Sequence, residues 1–211
     1  SNSIQRFTDG RSPDDIWAVQ SLGIDPGSGR EVFLKKDGTY TFDYDPADIK
    51  VIANGRPAVE GVVNSSLRVK GFTMSAYIRY SFGSSRFNNA LYDKVENISY
   101  NDLSFNQDKR ALELRWKQPG DIAQFKGISL TDYTPISSRF VQKERIITGE
   151  SISVGYELTP ATASWLKPVH LQNLRFSAFM NNIFRLSNIV SERGIDYPFA
   201  NTVSFSINAS F

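Results

Sequence analysis

Apolar and polar residues alternate with a period of two along five stretches of this chain. The last stretch, residues 201–211, places large apolar side chains between small polar ones: Val203, Phe205, Ile207 and Phe211. Such alternation is typical of a β-strand with one apolar and one polar face. The same pattern predicts strands over residues 62–70, 72–82, 146–158 and 171–184. We therefore expect an all-β fold in which antiparallel strands are neighbours in chain order.

The connections between these strands alternate between short and long. Lys70 and Gly71 form a bare turn, since glycine supplies the positive φ that short hairpins need, and residues 159–170 make a modest one. The other two connections, residues 83–144 and 187–199, are much longer. Long loops without structure of their own are unusual in compact soluble domains, whereas outer-membrane barrels carry them on the extracellular side. The pattern thus predicts transmembrane barrel strands with both long loops outside.

The first sixty residues have a different, turn-rich character. Within them "LKKDGTYTFDY" predicts a small hairpin that turns at Asp37–Gly38. We expect residues 1–61 to form an extracellular loop region containing this β-hairpin. Residues 62–211 would then hold the barrel strands together with the long extracellular loop 83–144.

The composition of the chain excludes several classes of function. The chain of 211 residues mixes 24 basic with 22 acidic side chains, a net charge of +2 that argues against a nucleic-acid partner. It has no cysteine, which excludes disulfides and thiolate metal sites. No run of apolar residues is long enough for a membrane helix. The remaining candidates are a membrane-spanning sheet and a soluble β-protein.

Catalytic chemistry finds little support in the sequence. The only histidine, His170, lies in a turn, so a serine–histidine–aspartate triad is not favoured. Carboxylates that could pair as acid and base, such as Asp14 with Asp15 or Glu144 with Glu150, are more typical of scattered surface acids. We predict no catalytic residues, no cofactor and no metal, and hence no enzyme.

Three aromatic residues of the long loop are candidates for substrate binding: Tyr92, Tyr100 and Trp116. A flat ring such as Trp116 could stack on a sugar, although packing of the loop on itself is the more common role of such a ring. Nearby, residues 108–114 carry helix-forming side chains and predict a short helix inside the loop.

The faces of the predicted strands leave two architectures open. Arg68, Arg79 and Arg175 lie on polar faces, where they would line a barrel lumen or simply be solvated. The apolar faces carry no charge, which fits contact with lipid and fits the core of a soluble β-sandwich equally well. A soluble β-sandwich that binds carbohydrate is therefore the alternative to the membrane barrel.

Five blocks of the chain carry a recognisable family pattern. They are "IWAVQSLGIDPGSGREVFLKKDGTYTFDY" (16–44), "ALELRWKQPGD" (111–121), "SRFVQKE" (138–144), "NNIF" (181–184) and "ERGIDYPFANTVSFSINASF" (192–211). In this order they resemble the closing third of SusC/RagA-type TonB-linked outer-membrane transporters. The resemblance covers essentially the whole chain.

This resemblance implies a function and a set of partners. Such transporters import oligosaccharides or peptides through a 22-stranded barrel in the Gram-negative outer membrane, capped by a SusD-like surface lipoprotein and energised by TonB through an N-terminal part that has no counterpart in these residues. The chain would then be the C-terminal segment of the barrel, in contact with outer-membrane lipid. Its last strand resembles the signal read by the barrel-insertion machinery, carried by Val203, Phe205, Ile207 and Phe211.

Overall fold

The structure, a computed structural model, describes residues 4–189 and 201–211. Strands dominate it, and the predicted all-β class is confirmed. The chain forms two compact units. The first comprises Ser1–Pro57 with Gly83–Glu144, and the second Ala58–Phe82 with Arg145–Phe211. The extracellular placement of residues 1–61 and 83–144 stays a prediction.

The first unit contains five short strands: β1 (Asp15–Ala18), β2 (Gln20–Ile24), β3 (Glu31–Leu34), β4 (Tyr40–Thr41) and β5 (Lys50–Asn54). β1 pairs antiparallel with β5, while β2, β3 and β4 form a separate three-stranded sheet in that order. The turn between β3 and β4 holds Gly38 at a φ of 87°, and the Asp37 carboxylate accepts the backbone N–H of Thr39 at 2.9 Å. The hairpin predicted at Asp37–Gly38 is therefore confirmed.

The first unit also contains several short helical segments. They are a 3₁₀ turn at Pro46–Asp48, a π-type turn at Leu91–Glu96, 3₁₀ turns at Tyr100–Ser104 and Ser138–Phe140, and one α-helix, α1 (Arg110–Glu113). The helix predicted over residues 108–114 is thus present but shorter. The Asp108 carboxylate accepts the backbone N–H of Arg110 at 2.8 Å and satisfies a donor at its beginning.

A hydrophobic core gives the first unit its own packing. Eight buried residues form the larger cluster: Phe87, Leu91, Tyr92, Val95, Ile98, Ala111, Phe125 and Phe140. The ring of Tyr92 meets that of Phe140 edge to face at 5.0 Å between centroids. Much of the segment that looked like a long loop in the sequence is therefore packed around aromatic side chains.

The second unit is built on a sheet of long strands: β6 (Val59–Val69), β7 (Phe72–Phe87), β8 (Val141–Leu158), β9 (Asn173–Ser187) and β10 (Val203–Ser210). The first unit takes in the end of β7 and the beginning of β8. Their order is β10-β9-β8-β7-β6, with antiparallel registers for β6–β7, β8–β9 and β9–β10. The prediction that antiparallel strands neighbour each other in chain order is confirmed. Several strands extend beyond the predicted bounds.

The ends of the strands fix where the connections leave the sheet. β6 and β7 join through Lys70 and Gly71, at φ angles of 46° and 83°. β8 begins after the longest connection, and β9 ends at Ser187, close to Ile146 of β8. Both long connections therefore meet the sheet at the same end, as expected. Most of the second one, including residues 192–200 of the resemblance, lies outside the described residues.

Aromatic rings cover glycines across two strand pairs. Gly61 is paired with Tyr80, and a Cβ added to Gly61 would lie 2.5 Å from the Tyr80 hydroxyl. Gly149 is paired with Phe184 in the same way, next to a bulge where Asn182 takes a φ of 52°. The glycines leave room for the large rings, so the strands pack at these positions without side-chain overlap. Among the described residues, no helix is long and apolar enough to cross a bilayer.

Candidate functional site

One side of the five-stranded sheet is apolar along every strand. The strand registers place on it Val63, Leu67, Val69, Phe72, Met74, Ile78, Ile152, Val154, Tyr156, Phe176, Met180, Val203, Phe205 and Ile207. We call this set the apolar face. Phe205 is 79% exposed and Ile207 68% exposed, and the prediction that this face of the last strand lies open is confirmed. An exposed apolar surface of this extent marks contact with another molecule or with lipid.

The other side of the sheet is mainly polar. Ser75 and Ser153 hydrogen-bond across β7 and β8 at 2.7 Å, and Glu157 is paired with Arg175 across β8 and β9. Arg79 forms an ion pair with Glu150 on adjoining strands. Val62, Tyr77 and Phe179 interrupt this polar face. The two sides thus differ in charge as the alternation predicted, with the charged side chains confined to one of them where the registers are regular.

The two outer strands of this sheet have one paired neighbour each among the described residues. β10 pairs with β9, and β6 pairs with β7. Open edges of long strands are positions at which further strands add by backbone hydrogen bonding. Within the described residues the sheet is therefore open at both edges.

A buried ion-pair network lies at the centre of the first unit. The Arg139 guanidinium donates to Glu96 Oε1 at 2.6 Å, to Glu96 Oε2 at 3.1 Å and to Glu31 Oε2 at 3.0 Å. Glu96 is 1% exposed, and Thr134 donates a further bond to its Oε1 at 3.0 Å. The guanidinium of Arg139 also lies 4.5 Å from the centre of the Phe140 ring. Arg139 therefore ties two acids from distant parts of the sequence to the aromatic core.

The burial of this network shifts the pKa values of its two arginines. Burial by itself lowers the pKa of Arg139, but the hydrogen bonds and charges of Glu96 and Glu31 outweigh it and raise the pKa. Burial lowers the pKa of Arg115, opposed by Glu96. Arg115 instead donates to the backbone carbonyls of Val95 and Glu96. The network is held by charge-assisted hydrogen bonds, which are stronger than neutral ones.

A cleft of about 420 Å³ opens beside this network in the first unit. Its lining combines aromatic, charged and small residues, among them Arg30, Glu31, Phe33, Phe42, Tyr44, Trp116, Lys126, Asp132 and Thr134. One side is formed by the turn before β3 and by β3 itself, another by residues 126–135. Of the three aromatic residues singled out in the sequence, Trp116 lines this cleft.

Trp116 is held rigidly at the cleft. Its indole N–H donates to the backbone carbonyl of Pro26 at 2.8 Å. A Cβ added to Gly29 would come within 2.4 Å of its ring, so the ring lies directly against the glycine backbone, and Gly127 approaches it as well. Trp116 therefore anchors the turn before β3, and it also lines the cleft. Its role in substrate binding stays a prediction.

The two candidate tyrosines lie in different environments. Tyr92 is buried in the aromatic core, and its hydroxyl donates to the backbone carbonyl of Thr134 at 2.8 Å. Burial, followed by the hydrogen bond and charge of Tyr133, raises the pKa of Tyr92. Tyr100 is exposed on a 3₁₀ turn. The structure does not bring Tyr92, Tyr100 and Trp116 together around the cleft, and substrate binding by the two tyrosines also stays a prediction.

The residues considered for catalysis lie in a turn or in contacts within the protein. His170 has a φ of 56° in the turn that follows the 3₁₀ segment Ser164–Leu166. Asp15 accepts from the Asn54 amide at 2.7 Å, and Glu144 lies 3.5 Å from Arg86. Over the described ranges, no group of three or more histidine, aspartate or glutamate side chains is arranged to hold a metal ion.

Comparisons with solved structures find proteins of similar fold. No family model matches the chain, and no curated protein matches it. Solved structures do match. The chain is similar to the RagAB peptide importer in its 'open-open' state, with a TM-score of 0.72 and 16% identity over 98% of this chain. It is also similar to the importer in its 'closed-closed' state, with a TM-score of 0.71 and 17% identity over 93% of this chain. A third structure, of the RagAB peptide transporter, gives a TM-score of 0.66 and 15% identity over 83% of this chain.

The matches cover only part of each importer chain. This chain spans 25%, 23% and 19% of the three, respectively. At such identities the similarity shows the fold alone. The chain therefore has the fold of a segment of transporter chains, and these structural neighbours are not enzymes.

Proposed function

We propose that this chain is the C-terminal barrel segment of an outer-membrane TonB-dependent nutrient importer. Its fold is that of a segment of importer chains, and five blocks of its sequence resemble the SusC/RagA family. The observation that carries the proposal is the apolar face, which runs over the five strands of the sheet, bears no charged side chain where the registers are regular and is exposed on β10. Lipid is the solvent that suits such a surface, because a charge near the middle of the bilayer costs about 2–4 kcal/mol there.

The edges of the sheet support the same proposal. About five strands are too few to close a barrel, since small closed barrels need about eight. β6 and β10 would pair with further strands of a 22-stranded barrel. The strands are also long enough to cross a bilayer, since β9 has 15 residues and a tilted membrane strand needs about 9–11.

Partners and cargo follow from the family as part of this proposal. The importer would take up an oligosaccharide or peptide with a SusD-like surface lipoprotein and draw energy from TonB. The structural neighbours are complexes that import peptides, which favours a peptide over a glycan. We further propose that Val203, Phe205, Ile207 and Phe211 form the barrel-insertion signal.

The soluble β-sandwich is less well supported. A sandwich needs a second sheet packed on the apolar face. Phe205 and Ile207 are largely exposed instead, and in the described part of the chain the remaining strands form only the short sheets of the first unit.

Charge substitution on the two faces of β10 tests the proposal. Phe205→Arg places a guanidinium on the apolar face, and Ser206→Arg places the same group one residue further on, on the polar face. In the protein encoded by its native gene, Phe205→Arg should strongly lower the amount of folded protein in the outer membrane, because the charge costs about 2–4 kcal/mol near the bilayer centre. Ser206→Arg should leave most of the folded protein in the outer membrane.

Heat-modifiable migration of outer-membrane fractions on gels measures both variants. Equal outer-membrane levels for Phe205→Arg and the unsubstituted protein would contradict contact between this face and lipid. Recovery of the unsubstituted protein in the soluble fraction would contradict the membrane assignment altogether.

A further inference from the structure

A hollow of about 330 Å³ opens on the apolar face, over the strands β8, β9 and β10. On this face Ala178 of β9 is paired with Val154 of β8 and with Phe205 of β10. The apolar side chains around it are larger: Val154, Tyr156, Phe176, Phe205 and Ile207. A small side chain among larger ones leaves a depression that the protein itself does not fill.

The chemistry of the hollow suits a hydrocarbon chain. None of these wall side chains is charged, and only Tyr156 among them has a polar group. Gly155, Ser177 and Ser206 border the hollow from the alternate positions of their strands. A polar ligand would lose its hydrogen bonds to water there without replacing them. A hydrocarbon chain has no such loss and gains contact with the surrounding rings.

The hollow lies at the depth of one membrane leaflet. Ala178 is five residues from Asn173, where β9 begins, and at about 3.3 Å per residue this is about 17 Å along the strand. In a strand tilted by about 45° the same length spans about 12 Å of depth, and half of a hydrocarbon core of about 30 Å is about 15 Å. A lipid with its headgroup at this end of the sheet therefore has its acyl chains at the level of the hollow.

The turns at this end of the sheet lie next to the hollow. The backbone N–H of Glu157 donates to the Gly71 carbonyl at 2.9 Å, which joins the turn between β6 and β7 to the end of β8. A Cβ added to Gly71 would lie 3.8 Å from the Tyr156 ring, so this turn borders a wall of the hollow. Trp165, in the connection from β8 to β9, is 55% exposed. Exposed tyrosine and tryptophan are typical of the level at which a membrane meets water.

Positive charge is in excess at these turns. We give the name turn end to the turns and the adjoining strand ends, residues 68–71, 156–175 and 208–211. The turn end contains four basic residues and one acid: Arg68, Lys70, Lys167, Arg175 and Glu157. Glu157 is paired with Arg175 in the strand register. The other three basic residues form no ion pair among the described residues. A carboxylate at the end of the chain would offset one of these three charges, and two cations would still be unbalanced.

We infer that the hollow and the turn end together bind an anionic phospholipid of the leaflet on that side. One acyl chain lies in the hollow, and the phosphate lies at the turns, where Lys70 and Lys167 supply charge-assisted hydrogen bonds. The inference rests on the proposed function, because it needs the apolar face to lie in a bilayer. It deepens that function by naming a lipid class and the site that holds it.

Charge decides between the classes of lipid. Any bilayer lipid can place a chain in the hollow, so the chain alone gives no preference. A zwitterionic headgroup carries its own cation beside the phosphate and leaves the charge of the turn end unbalanced. An anionic headgroup offsets that charge, and one basic side chain near a membrane surface favours anionic lipid by about 5-fold.

Photoactivatable lipids test the inference at the site itself. The protein encoded by its native gene is reconstituted in bilayers with traces of phosphatidylglycerol or phosphatidylcholine that carry the same diazirine-bearing acyl chain, and adducts are mapped by mass spectrometry. Adducts at residues 174–180 are divided by those at residues 59–63 of β6, which lie outside the turn end. We expect this ratio to be at least about 5-fold higher for phosphatidylglycerol than for phosphatidylcholine.

A double variant tests the contribution of charge. Lys70→Asn with Lys167→Gln removes both turn lysines, and asparagine tolerates the positive φ of 46° at residue 70. The preference for phosphatidylglycerol should fall to within about 2-fold of none. Lys109→Gln with Lys117→Gln removes the same charge from the first unit and should leave the preference unchanged.

A second pair of variants tests the shape of the hollow. Ala178→Phe fills it and should remove most phosphatidylglycerol adducts at residues 174–180. Ala76→Phe adds the same ring elsewhere on the apolar face and should leave these adducts unchanged. Heat-modifiable migration shows that each variant is folded before labelling, and the comparison of the two lipids on the unsubstituted protein needs no variant.

Three results would overturn the inference and leave contact with lipid intact: equal ratios for the two lipids, a preference that survives the loss of both lysines, or unchanged labelling in folded Ala178→Phe. Labelling of β6 without any adduct at residues 174–180 would also overturn it, because another protein would then cover the hollow. No adduct anywhere on the apolar face would contradict the proposed function and the inference with it.

Discussion

Removal of Arg139 tests how far the buried network stabilises the first unit. Arg139→Met keeps a side chain of similar length but leaves Glu31 and Glu96 buried without their shared cation. Breaking a buried ion pair by removing one partner typically costs about 3–5 kcal/mol, because the remaining charge stays uncompensated. The substitution also removes a bond of 2.9 Å to the Gln124 carbonyl and the contact with the Phe140 ring. We therefore expect a loss at least at the lower end of that range.

Hydrogen–deuterium exchange measures this loss where it occurs. Peptides covering residues 88–104 and 133–141 contain most of the network and its aromatic support. Since about 1.4 kcal/mol corresponds to a factor of ten, their exchange should accelerate by roughly 100-fold or more in Arg139→Met. Arg30→Met is the matched control. Its ion pair with Asp43 is exposed on both sides, and such pairs contribute about 0–1 kcal/mol.

A compensating variant separates charge from packing. Replacing Glu31 and Glu96 with glutamine in the Arg139→Met background removes the unpaired charges, so much of the protection should return. Two results would refute a network held together by charge pairing. One is an exchange rate in Arg139→Met within about 3-fold of the rate in Arg30→Met, and the other is no recovery of protection in the triple variant.

Two smaller predictions concern the same unit. Gly29→Ala should disturb the cleft, because Gly29 has a φ of 70° and its new Cβ would lie 2.4 Å from the Trp116 ring. We expect a shifted tryptophan emission spectrum. An unchanged spectrum together with unchanged stability would contradict the close approach of Gly29 to the ring. Tyr92→Phe removes the hydrogen bond to the Thr134 carbonyl and should lower the stability of the first unit by about 1 kcal/mol, measured by the same exchange experiment. Faster exchange only in regions away from residues 88–98 and 133–140 would argue against a stabilising role for this hydrogen bond.

Most of the sheet could be predicted because period-two alternation is a local signal. Val203, Phe205 and Ile207 reveal the apolar side of β10 without reference to any other residue. The tight turn was equally visible, since a glycine follows directly after Lys70. The bulge at Asn182 was not, because it depends on the register with β8 rather than on the sequence of β9 alone.

The first unit was harder to predict because its contacts join residues far apart in the chain. Arg139 meets Glu31 and Glu96 across long sequence separations, and each of the three reads as an ordinary surface charge where it stands. Trp116 was singled out by its chemistry, but its bond to the Pro26 carbonyl and its contact with Gly29 follow only from the fold.

The central claim, that the apolar face of the sheet lies against lipid, is tested most directly by spin labels along β10. The chain has no cysteine, so single cysteines introduced at residues 203–209 each carry one label in the membrane-inserted protein once any cysteine outside these residues has been replaced. Electron paramagnetic resonance then compares collision with oxygen, which concentrates in lipid, with collision with a water-soluble nickel chelate. We predict a period of two, in which oxygen accessibility peaks at Val203, Phe205, Ile207 and Ala209 and falls at the residues between them. Uniform accessibility along the strand, or peaks at Ser204, Ser206 and Asn208 instead, would contradict this account.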